Sequence, residues 1–315
     1  MAEPYTGATL VEVIEAAEYE LTRDAAGVVD SSGRGKLRVT GADPAEFLQG
    51  QVTNDVEALE PGTGCYSALL NHKGKVRTDM RVLRGEDWIW LDTEPGFQQV
   101  LESMVATYGI GRDVRAEDVS DAYAILSLVG PAARATVDPA PPEDEHSFVE
   151  GEHGLYVATD AGVDVICPAE SAQAVREALG LEELSTEVAE CLRIESGRPR
   201  FGVDFDSDTI PQEAGLNERA VSFDKGCYVG QETVARLHYK GRPNRHLRGL
   251  RLSGEAQPGA ELRLGNRTVG ALGSVAVSPV HGPIGLAIVR REAEPGDVLE
   301  VGDSGTTAEL VELPF

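Results

Sequence analysis

The densest group of reactive and polar side chains lies in one segment, which reads FDKGCYVGQETVAR over residues 223–236. Cys227 follows Lys225 by two residues, and two glycines in the segment allow another surface to approach the backbone closely. A helix is predicted to begin at Gln231, which places Cys227 just ahead of its N-terminal end. The helix dipole and the Lys225 ammonium both favour thiolate there, so the pattern predicts a reactive thiol. A buried, inert cysteine is an equally weighted alternative.

The second candidate is Glu195, near the end of the segment STEVAECLRIESG over residues 185–197. Helical spacing places it on an apolar face with Val188, Cys191 and Leu192. Burying an unpaired carboxylate is costly, so Glu195 should have a fixed ion-pair or hydrogen-bond partner. An arginine is the favoured partner, and the nearby ones are Arg193, Arg198 and Arg200. The alternative is a ligand with two adjacent N–H donors, such as the 2-amino and N3–H edge of a pterin.

Strand and helix patterns alternate in the region that contains these candidates. Four short runs predict strands, and they read LRVT at 37–40, WIWL at 88–91, AYAILSLV at 122–129 and VDVIC at 163–167. Apolar residues recur at helical spacing from Phe97 to Tyr108, and Gly109 is predicted to end that helix. The mixture of helices and strands indicates an α+β fold.

The composition changes near residue 243. Beyond this point the chain consists of short β-type runs punctuated by glycine, such as ELRLG, TVGALGSVAVS and GLAIV. This pattern is typical of a small antiparallel barrel or sandwich. The sequence therefore predicts an α+β region over 1–243 and a C-terminal β-barrel domain over 244–315.

The charge of the chain limits its partners. It has 53 acidic against 28 basic residues, a formal net charge of −25, and five lysines against 23 arginines. Such an acidic surface is typical of proteins from salt-loving organisms, and capture of a basic partner is the less favoured interpretation. Nucleic-acid binding through a general basic surface is disfavoured. No membrane partner is expected, because no apolar run approaches the length of a membrane span.

The four cysteines do not resemble a metal site. Cys65, Cys167, Cys191 and Cys227 form no CxxC pair and have no histidine at ligand spacing. The acidic N-terminus does not resemble a secretory signal, so a cytoplasmic protein with reduced cysteines is expected. Phosphate-binding, dinucleotide-binding and GxSxG nucleophile patterns are not found in the sequence.

Several segments together resemble the YgfZ family of folate-dependent iron–sulfur cluster assembly proteins. The octet KGCYVGQE, followed by VAR, is similar to the signature of that family. FLQGQVTNDV at 47–56, NHKGKVRTDM at 71–80 and LRIESGRPRFGVDFDSDTIPQEAGLN at 192–217 are also similar to family motifs. The last three are shared with the related T-protein of glycine cleavage, an aminomethyltransferase, whereas the octet is specific to YgfZ.

The resemblance implies a T-protein-like fold of three units around a central channel that holds tetrahydrofolate. It implies that Glu195, in the R-x-E-x-G motif, holds the pterin, and that Cys227, activated by Lys225, carries the thiol chemistry. Arg236 would meet the glutamate carboxylates of the folate. Tyr228 and Gln231 match the family signature and are further candidates for contact with the ligand. Iron–sulfur client proteins are the implied partners.

One position is expected to separate the two relatives. The T-protein pattern implies an aspartate shortly after the WIWL strand, and this chain has Gln99 there. A neutral amide can orient a group but cannot accept a proton as a carboxylate can. We therefore expect the YgfZ function, with aminomethyl transfer as the alternative. Asp92 is the possible substitute that keeps this alternative open.

Overall fold

The computed structural model describes residues 16–303 and 305–315. Its helices are α1 (Ala16–Asp24), α2 (Pro44–Gln49), α3 (Gln98–Tyr108), α4 (Ala172–Leu179), α5 (Thr186–Glu195), α6 (Asn217–Ala220) and α7 (Gln231–Lys240). Short 3₁₀ turns cover Ala133–Thr136 and Ala169–Ser171. None of the helices in the described part of the chain is long and apolar enough to cross a membrane.

The strands before residue 185 are β1 (Gly27–Asp30), β2 (Gly35–Gly41), β3 (Thr63–Leu70), β4 (Val76–Arg84), β5 (Trp88–Thr93), β6 (Val114–Asp118), β7 (Tyr123–Val129), β8 (Phe148–Gly151), β9 (Gly154–Ala158), β10 (Gly162–Pro168) and β11 (Glu182–Glu183). The C-terminal strands are β12 (Arg245–Leu252), β13 (Glu261–Leu264), β14 (Arg267–Ser278), β15 (Gly282–Arg290), β16 (Val298–Val301) and β17 (Thr306–Val311). All four predicted strands and the helix that ends at Gly109 are confirmed.

The strands form three sheets. One has five strands in the order β3-β4-β5-β2-β6, and another has six in the order β11-β1-β7-β10-β9-β8. The C-terminal strands close into a barrel in the order β12-β15-β14-β13-β16-β17, which confirms the predicted barrel. Closure removes the exposed edges that a small open sheet would present.

The chain folds as two compact units. One contains residues 20–185 and 206–243, and the other contains the described residues 16–19 together with 186–205 and 244–315. The barrel unit therefore also includes α5, which packs on β14 and β15. The interior of the barrel is filled by aliphatic side chains, including Leu250, Leu262, Leu299 and Leu310.

The two faces of the five-stranded sheet differ in chemistry. One face is apolar and packs against α2 and α3 through Phe47, Leu48, Leu101 and Met104. The alternate residues on β3, β4 and β5 point the other way, because successive side chains of a strand alternate between faces. This second face carries several buried polar side chains, and it positions the candidate site described below.

Candidate functional site

A polar row crosses the middle of the five-stranded sheet. Tyr66 on β3 lies opposite Arg81 on β4, and Arg81 lies opposite Asp92 on β5. Arg81 and Asp92 are only 5% and 1% exposed, so both are charged groups in the protein interior. A buried charge must be paired and hydrogen-bonded, and the partners of this row show how that requirement is met.

Asp92 is held between two arginines. It accepts hydrogen bonds from Arg34 Nε and Arg81 Nε at 2.7 Å each, and from Trp90 Nε1 at 3.1 Å. Burial opposes ionisation, but the two guanidinium groups outweigh it and lower the pKa of Asp92 to about 2. Asp92 is therefore committed to ion pairing, and its predicted role as a substitute catalytic aspartate is not supported. Gln99 is exposed on α3.

Arg81 also ties the two sheets of this unit together. Its Nη1 donates to Asp164 Oδ2 on β10 at 2.6 Å, whereas its Nη2 has no hydrogen-bond partner among the described residues. Carboxylates from two sheets bond the same Arg81 guanidinium, and these bonds fix its position. Tyr66 is the cross-strand neighbour of this fixed guanidinium.

Asp79, two residues before Arg81 on the same strand face, has a different environment. It is 3% exposed and accepts a hydrogen bond from the Tyr66 hydroxyl. Burial raises the pKa of Asp79 to about 6, although the Tyr66 bond and the charge of Arg34 act in the opposite direction. A carboxyl poised near neutrality can both accept and release a proton.

Asp79 was missed by sequence reasoning. It lies in VRTDMRVLR, and β4 buries nearly every residue of this segment. An aspartate in a strand that is buried on both faces is a signal, because such a group needs a specific partner. The sequence did not identify that partner, since Tyr66 is 13 residues away and only strand pairing brings it close.

Two further side chains surround Tyr66. The ring of His146 stacks on it at a centroid distance of 6.4 Å, with an angle of 27° between the planes. The guanidinium carbon of Arg219 lies 5.1 Å from the Tyr66 ring centroid. Arg219 is in turn fixed by Glu145 Oε1 at 2.7 Å. The Tyr66 ring is therefore packed by residues from two distant parts of the sequence.

The structure corrects the role predicted for Lys225. Its Nζ is buried and donates to three backbone carbonyl oxygens, those of Gln49, Val52 and Asn54, at 2.7–2.8 Å. Burial lowers the pKa of Lys225 to about 8, so it is still an ammonium at neutral pH. An ammonium has three N–H donors, and the three carbonyls use them all. Lys225 thus holds the loop after α2, and the structure does not support activation of Cys227 by this ammonium.

Cys227 itself is exposed, whereas Cys167 and Cys191 are buried and Cys65 is partly buried. The predicted helix start is confirmed, since α7 begins at Gln231. The preceding Gly230 has φ of 84°, and an added Cβ there would meet Asn71 O at 2.5 Å. The octet therefore needs glycine at this point, and its turn leaves the thiol open to solvent.

The remaining octet candidates have different environments. Tyr228 is 7% exposed, and its ring centroid lies 5.2 Å from Lys225 Nζ. Burial raises the pKa of Tyr228 to about 12, so this phenol stays protonated. Gln231 is half-buried at the helix start, and Arg236 is exposed on α7. Tyr228 therefore packs the lysine in place, while Cys227 and Arg236 are the accessible groups.

Glu195 lies in the other unit, and its partners differ from those predicted. The Tyr19 hydroxyl lies 3.0 Å and 2.9 Å from its two carboxylate oxygens. Its Oε1 also accepts from the Ser278 hydroxyl and, at 3.5 Å, from the Cys191 thiol. Among the described residues no arginine bonds this carboxylate, so the favoured arginine partner was wrong. Among the described residues, three groups donate to Glu195 Oε1, whereas only the Tyr19 hydroxyl donates to Glu195 Oε2.

The arginines next to Glu195 serve another purpose. Arg193 donates to Glu190 and to Asp204 Oδ2 at 2.9 Å, and Arg200 lies 2.7 Å from Glu190. Asp204 Oδ1 also accepts from the backbone N–H of Ser274 at 2.7 Å. This ion-pair network attaches the segment after α5 to strand β14, and it directs the Arg193 guanidinium to carboxylates other than Glu195.

The described residues contain no cluster suited to a metal ion. Nowhere in 16–303 or 305–315 are three or more His, Cys, Asp or Glu side chains arranged to hold one. The groups in this part of the chain whose environments suit chemistry are the Asp79 carboxyl and the exposed Cys227 thiol.

Similarity to known proteins agrees with this architecture. Residues 1–225 match the family model described as the GCVT N-terminal domain. The chain belongs to the GCVT family. An aminomethyltransferase of Saccharopolyspora erythraea is 30% identical over 330 residues, which cover 96% of this chain and 89% of that protein. An aminomethyltransferase of Caldanaerobacter subterraneus subsp. tengcongensis is 29% identical over 311 residues, which cover 90% of this chain and 82% of that protein.

A solved GCVT structure shows the same fold. The crystal structure of glycine cleavage system aminomethyltransferase T from Bartonella henselae matches with a TM-score of 0.84, and the match covers 95% of this chain and 88% of that one. The sequence identity over this match is 24%. The predicted T-protein-like α+β fold with a C-terminal barrel is thus confirmed, as is membership of the T-protein superfamily. The YgfZ branch, the site roles and folate binding stay predictions for this GCVT-family chain.

Proposed function

We propose that this chain binds tetrahydrofolate and transfers a one-carbon unit to it, as an aminomethyltransferase does. The observation that carries the proposal is the buried Asp79 carboxyl, bonded to Tyr66, with its pKa raised to about 6. The names of the similar proteins support the same reaction class. This reverses the order of preference that the sequence favoured, because the chain does contain a carboxyl suited to proton transfer.

The chemistry of Asp79 follows from its surroundings. Near neutral pH part of the population is ionised, so an Asp79 oxygen can accept a proton from a nitrogen that is losing one and return it later. Tyr66 donates to the ionised form and limits how far the pKa rises. Arg34, Arg81 and Asp92 form a fixed polar framework, so little reorganisation is needed during the step.

Tetrahydrofolate, when bound, would supply the nitrogen that accepts the one-carbon unit. Glu195 fits a pterin edge because it is a carboxylate without a cationic partner among the described residues. A pterin edge that presents two N–H groups would bond both carboxylate oxygens of Glu195. The Tyr19 hydroxyl would then have to release at least one of these oxygens. The exposed Arg236 carries the positive charge that folate carboxylates would meet.

The proposal is tested by incubating the protein with tetrahydrofolate and an aminomethylated donor, and by measuring methylene-tetrahydrofolate. We expect turnover by the wild type and a loss of about 10²–10⁴-fold for Asp79→Asn, the range typical of a general acid–base group. Asp87→Asn, which removes an exposed carboxylate in the turn between β4 and β5, is the matched control. Turnover by Asp79→Asn at the wild-type rate would rule out this mechanism.

A second candidate function is to support the assembly or repair of iron–sulfur proteins, which is the function that the resemblance to the YgfZ family implies. The observation that favours this second function is that Cys227 is exposed, whereas the other three cysteines are buried or half-buried. Client enzymes that contain iron–sulfur clusters would be assayed in cells that produce only Cys227→Ser or only Asp79→Asn. A defect confined to Cys227→Ser supports this second function, and a defect confined to Asp79→Asn supports one-carbon transfer.

A further inference from the structure

His146 combines several features that are costly for a protein. Its φ of 70° is the only positive φ of a non-glycine residue in the described part of the chain. Its side chain is buried, and both ring nitrogens have no hydrogen-bond partner among the described residues. Strained backbone and unsatisfied buried polar atoms persist where another requirement outweighs them, and they concentrate at functional sites.

The neighbours of His146 point to that requirement. Its ring stacks on Tyr66, while the adjacent Glu145 fixes Arg219 against the same phenol ring. The backbone is also fixed, because His146 N donates to Ala158 O at 2.8 Å and His146 O lies against Gly64. Two consecutive residues, Glu145 and His146, thus hold the Tyr66 ring from their places just ahead of β8.

We propose that His146 is a positioning residue for the acid–base group: its ring fixes Tyr66 so that the phenol hydroxyl stays on the Asp79 carboxylate. The residue with the left-handed backbone is thus the one whose imidazole faces the Tyr66 ring. Neither ring nitrogen has a hydrogen-bond partner among the described residues, and Nε2 lies 3.7 Å from Glu145 Oε1, so packing holds the ring in place. This inference rests on the proposed function only in that Asp79 is taken as the acid–base group. The arrangement of His146, Tyr66 and Asp79 does not depend on which reaction the protein catalyses.

The effect of His146 is steric and not electrostatic. Burial lowers the pKa of His146 to about 4, with Arg81 and Arg219 acting in the same direction and Glu145 and Asp92 opposing them. The imidazole is therefore neutral near pH 7 and adds no charge to the site. The groups that set the acidity of Asp79 are Tyr66, Glu94 and Arg34, and of these only Tyr66 is in ring contact with His146.

The test is a titration of the Asp79 carboxyl carbon by NMR in the full chain without folate, which does not depend on turnover. Tyr66→Phe removes the hydroxyl and should raise the pKa of Asp79 by about one, a roughly tenfold weaker acid. His146→Asn removes the ring but suits a positive φ, and it should raise the pKa in the same direction. His146→Phe keeps a flat ring at this position, so this single variant should titrate as the wild type does.

A double-mutant cycle separates positioning from general packing. If His146 acts through the hydroxyl, His146→Asn adds nothing in the Tyr66→Phe background. Additive shifts, or an unchanged titration in His146→Asn, would overturn the proposal. Equal shifts in His146→Asn and His146→Phe would overturn it as well, because the ring would then not be the cause. His153→Asn, in the turn between β8 and β9, is the matched control and should titrate as the wild type.

The test remains decisive if a variant folds poorly. The Tyr66 ring-flip rate can be measured in the wild type and in Arg219→Lys, which changes only the half-exposed side of the packing. A rigid ring in the wild type supports positioning by His146, and fast flipping there contradicts it. Failure of one-carbon transfer with a normal Asp79 titration would count against the proposed function alone and leave this inference standing.

Discussion

The Tyr66 hydroxyl donates a hydrogen bond to Asp79 across two neighbouring antiparallel strands. This contact joins a carboxyl whose pKa is raised to about 6 by burial to the phenol whose hydrogen bond opposes that rise. The same phenol has a pKa raised well above its ordinary value by burial and by the Asp79 charge. The proton therefore stays on Tyr66, and Asp79 is the group that titrates near neutral pH.

Asp79→Asn should make the folded protein more stable at about pH 8, although it slows transfer. The pKa of Asp79 is raised above its unfolded value, so its stabilising contribution is complete below about 4 and is lost as pH rises through about 6. Removing the ionisable group relieves a cost of about 3 kcal/mol at higher pH. Urea unfolding of both proteins at acidic and alkaline pH measures this, and a difference that does not change with pH would contradict it.

Asp92 should show the opposite pH dependence. Its pKa is lowered to about 2, so its contribution is present above the unfolded value and is lost as pH falls toward 2. Asp92→Asn leaves Arg34 and Arg81 without their shared anion and should cost about 3–5 kcal/mol. Asp118→Asn, at a largely exposed carboxylate, is the control, and a loss in Asp92→Asn no larger than in this control would disprove the ion-pair role.

Lys225→Met should destabilise the protein without altering the thiol. Three backbone carbonyl oxygens, one of them fully buried, would lose their donor, and the loss at a buried group costs about 1–3 kcal/mol. Because the Lys225 donors are used by these carbonyls, the reaction rate of the Cys227 thiol with a disulfide reagent should stay within about twofold of wild type. Thermal unfolding and thiol kinetics on the same samples check both outcomes. A large drop in thiol reactivity would show that Lys225 does activate Cys227.

The four cysteines should react at different rates in the folded protein. Cys227 is exposed, whereas burial raises the pKa of Cys191 and of Cys167 and raises that of Cys65 to about 12. We expect one fast-reacting thiol, absent in Cys227→Ser, and the rest only on unfolding. Mass spectrometry after a short pulse of alkylating reagent identifies the modified residue. Modification elsewhere in the first pulse would contradict the assignment.

Tyr19→Phe and Glu195→Ala should have opposite effects on tetrahydrofolate affinity. Glu195→Ala removes the carboxylate and should weaken binding at least about tenfold, if this group holds the pterin. Tyr19→Phe frees both oxygens from a competing donor and should strengthen binding by a few-fold. Calorimetry with tetrahydrofolate measures both. Equal affinity in the wild type and in Glu195→Ala would remove Glu195 from the ligand site.

The sequence by itself determined the local elements and the family. The four predicted strands, the helix ending at Gly109, the start of α7 at Gln231 and the closed C-terminal barrel follow from short-range periodicity and from turn residues such as Gly230. Motif similarity correctly indicated the T-protein superfamily. These features depend on neighbouring residues, so spacing along the chain is enough to reveal them.

Only the tertiary structure decided which polar groups meet. Asp79 becomes a candidate acid–base group because strand pairing brings it to Tyr66, and burial then raises its pKa. Lys225 lies two residues from Cys227 in sequence, yet its ammonium bonds carbonyls more than 170 residues away. The physical reason is that the energy of a charge depends on burial and on partners in space, and proximity in sequence fixes neither.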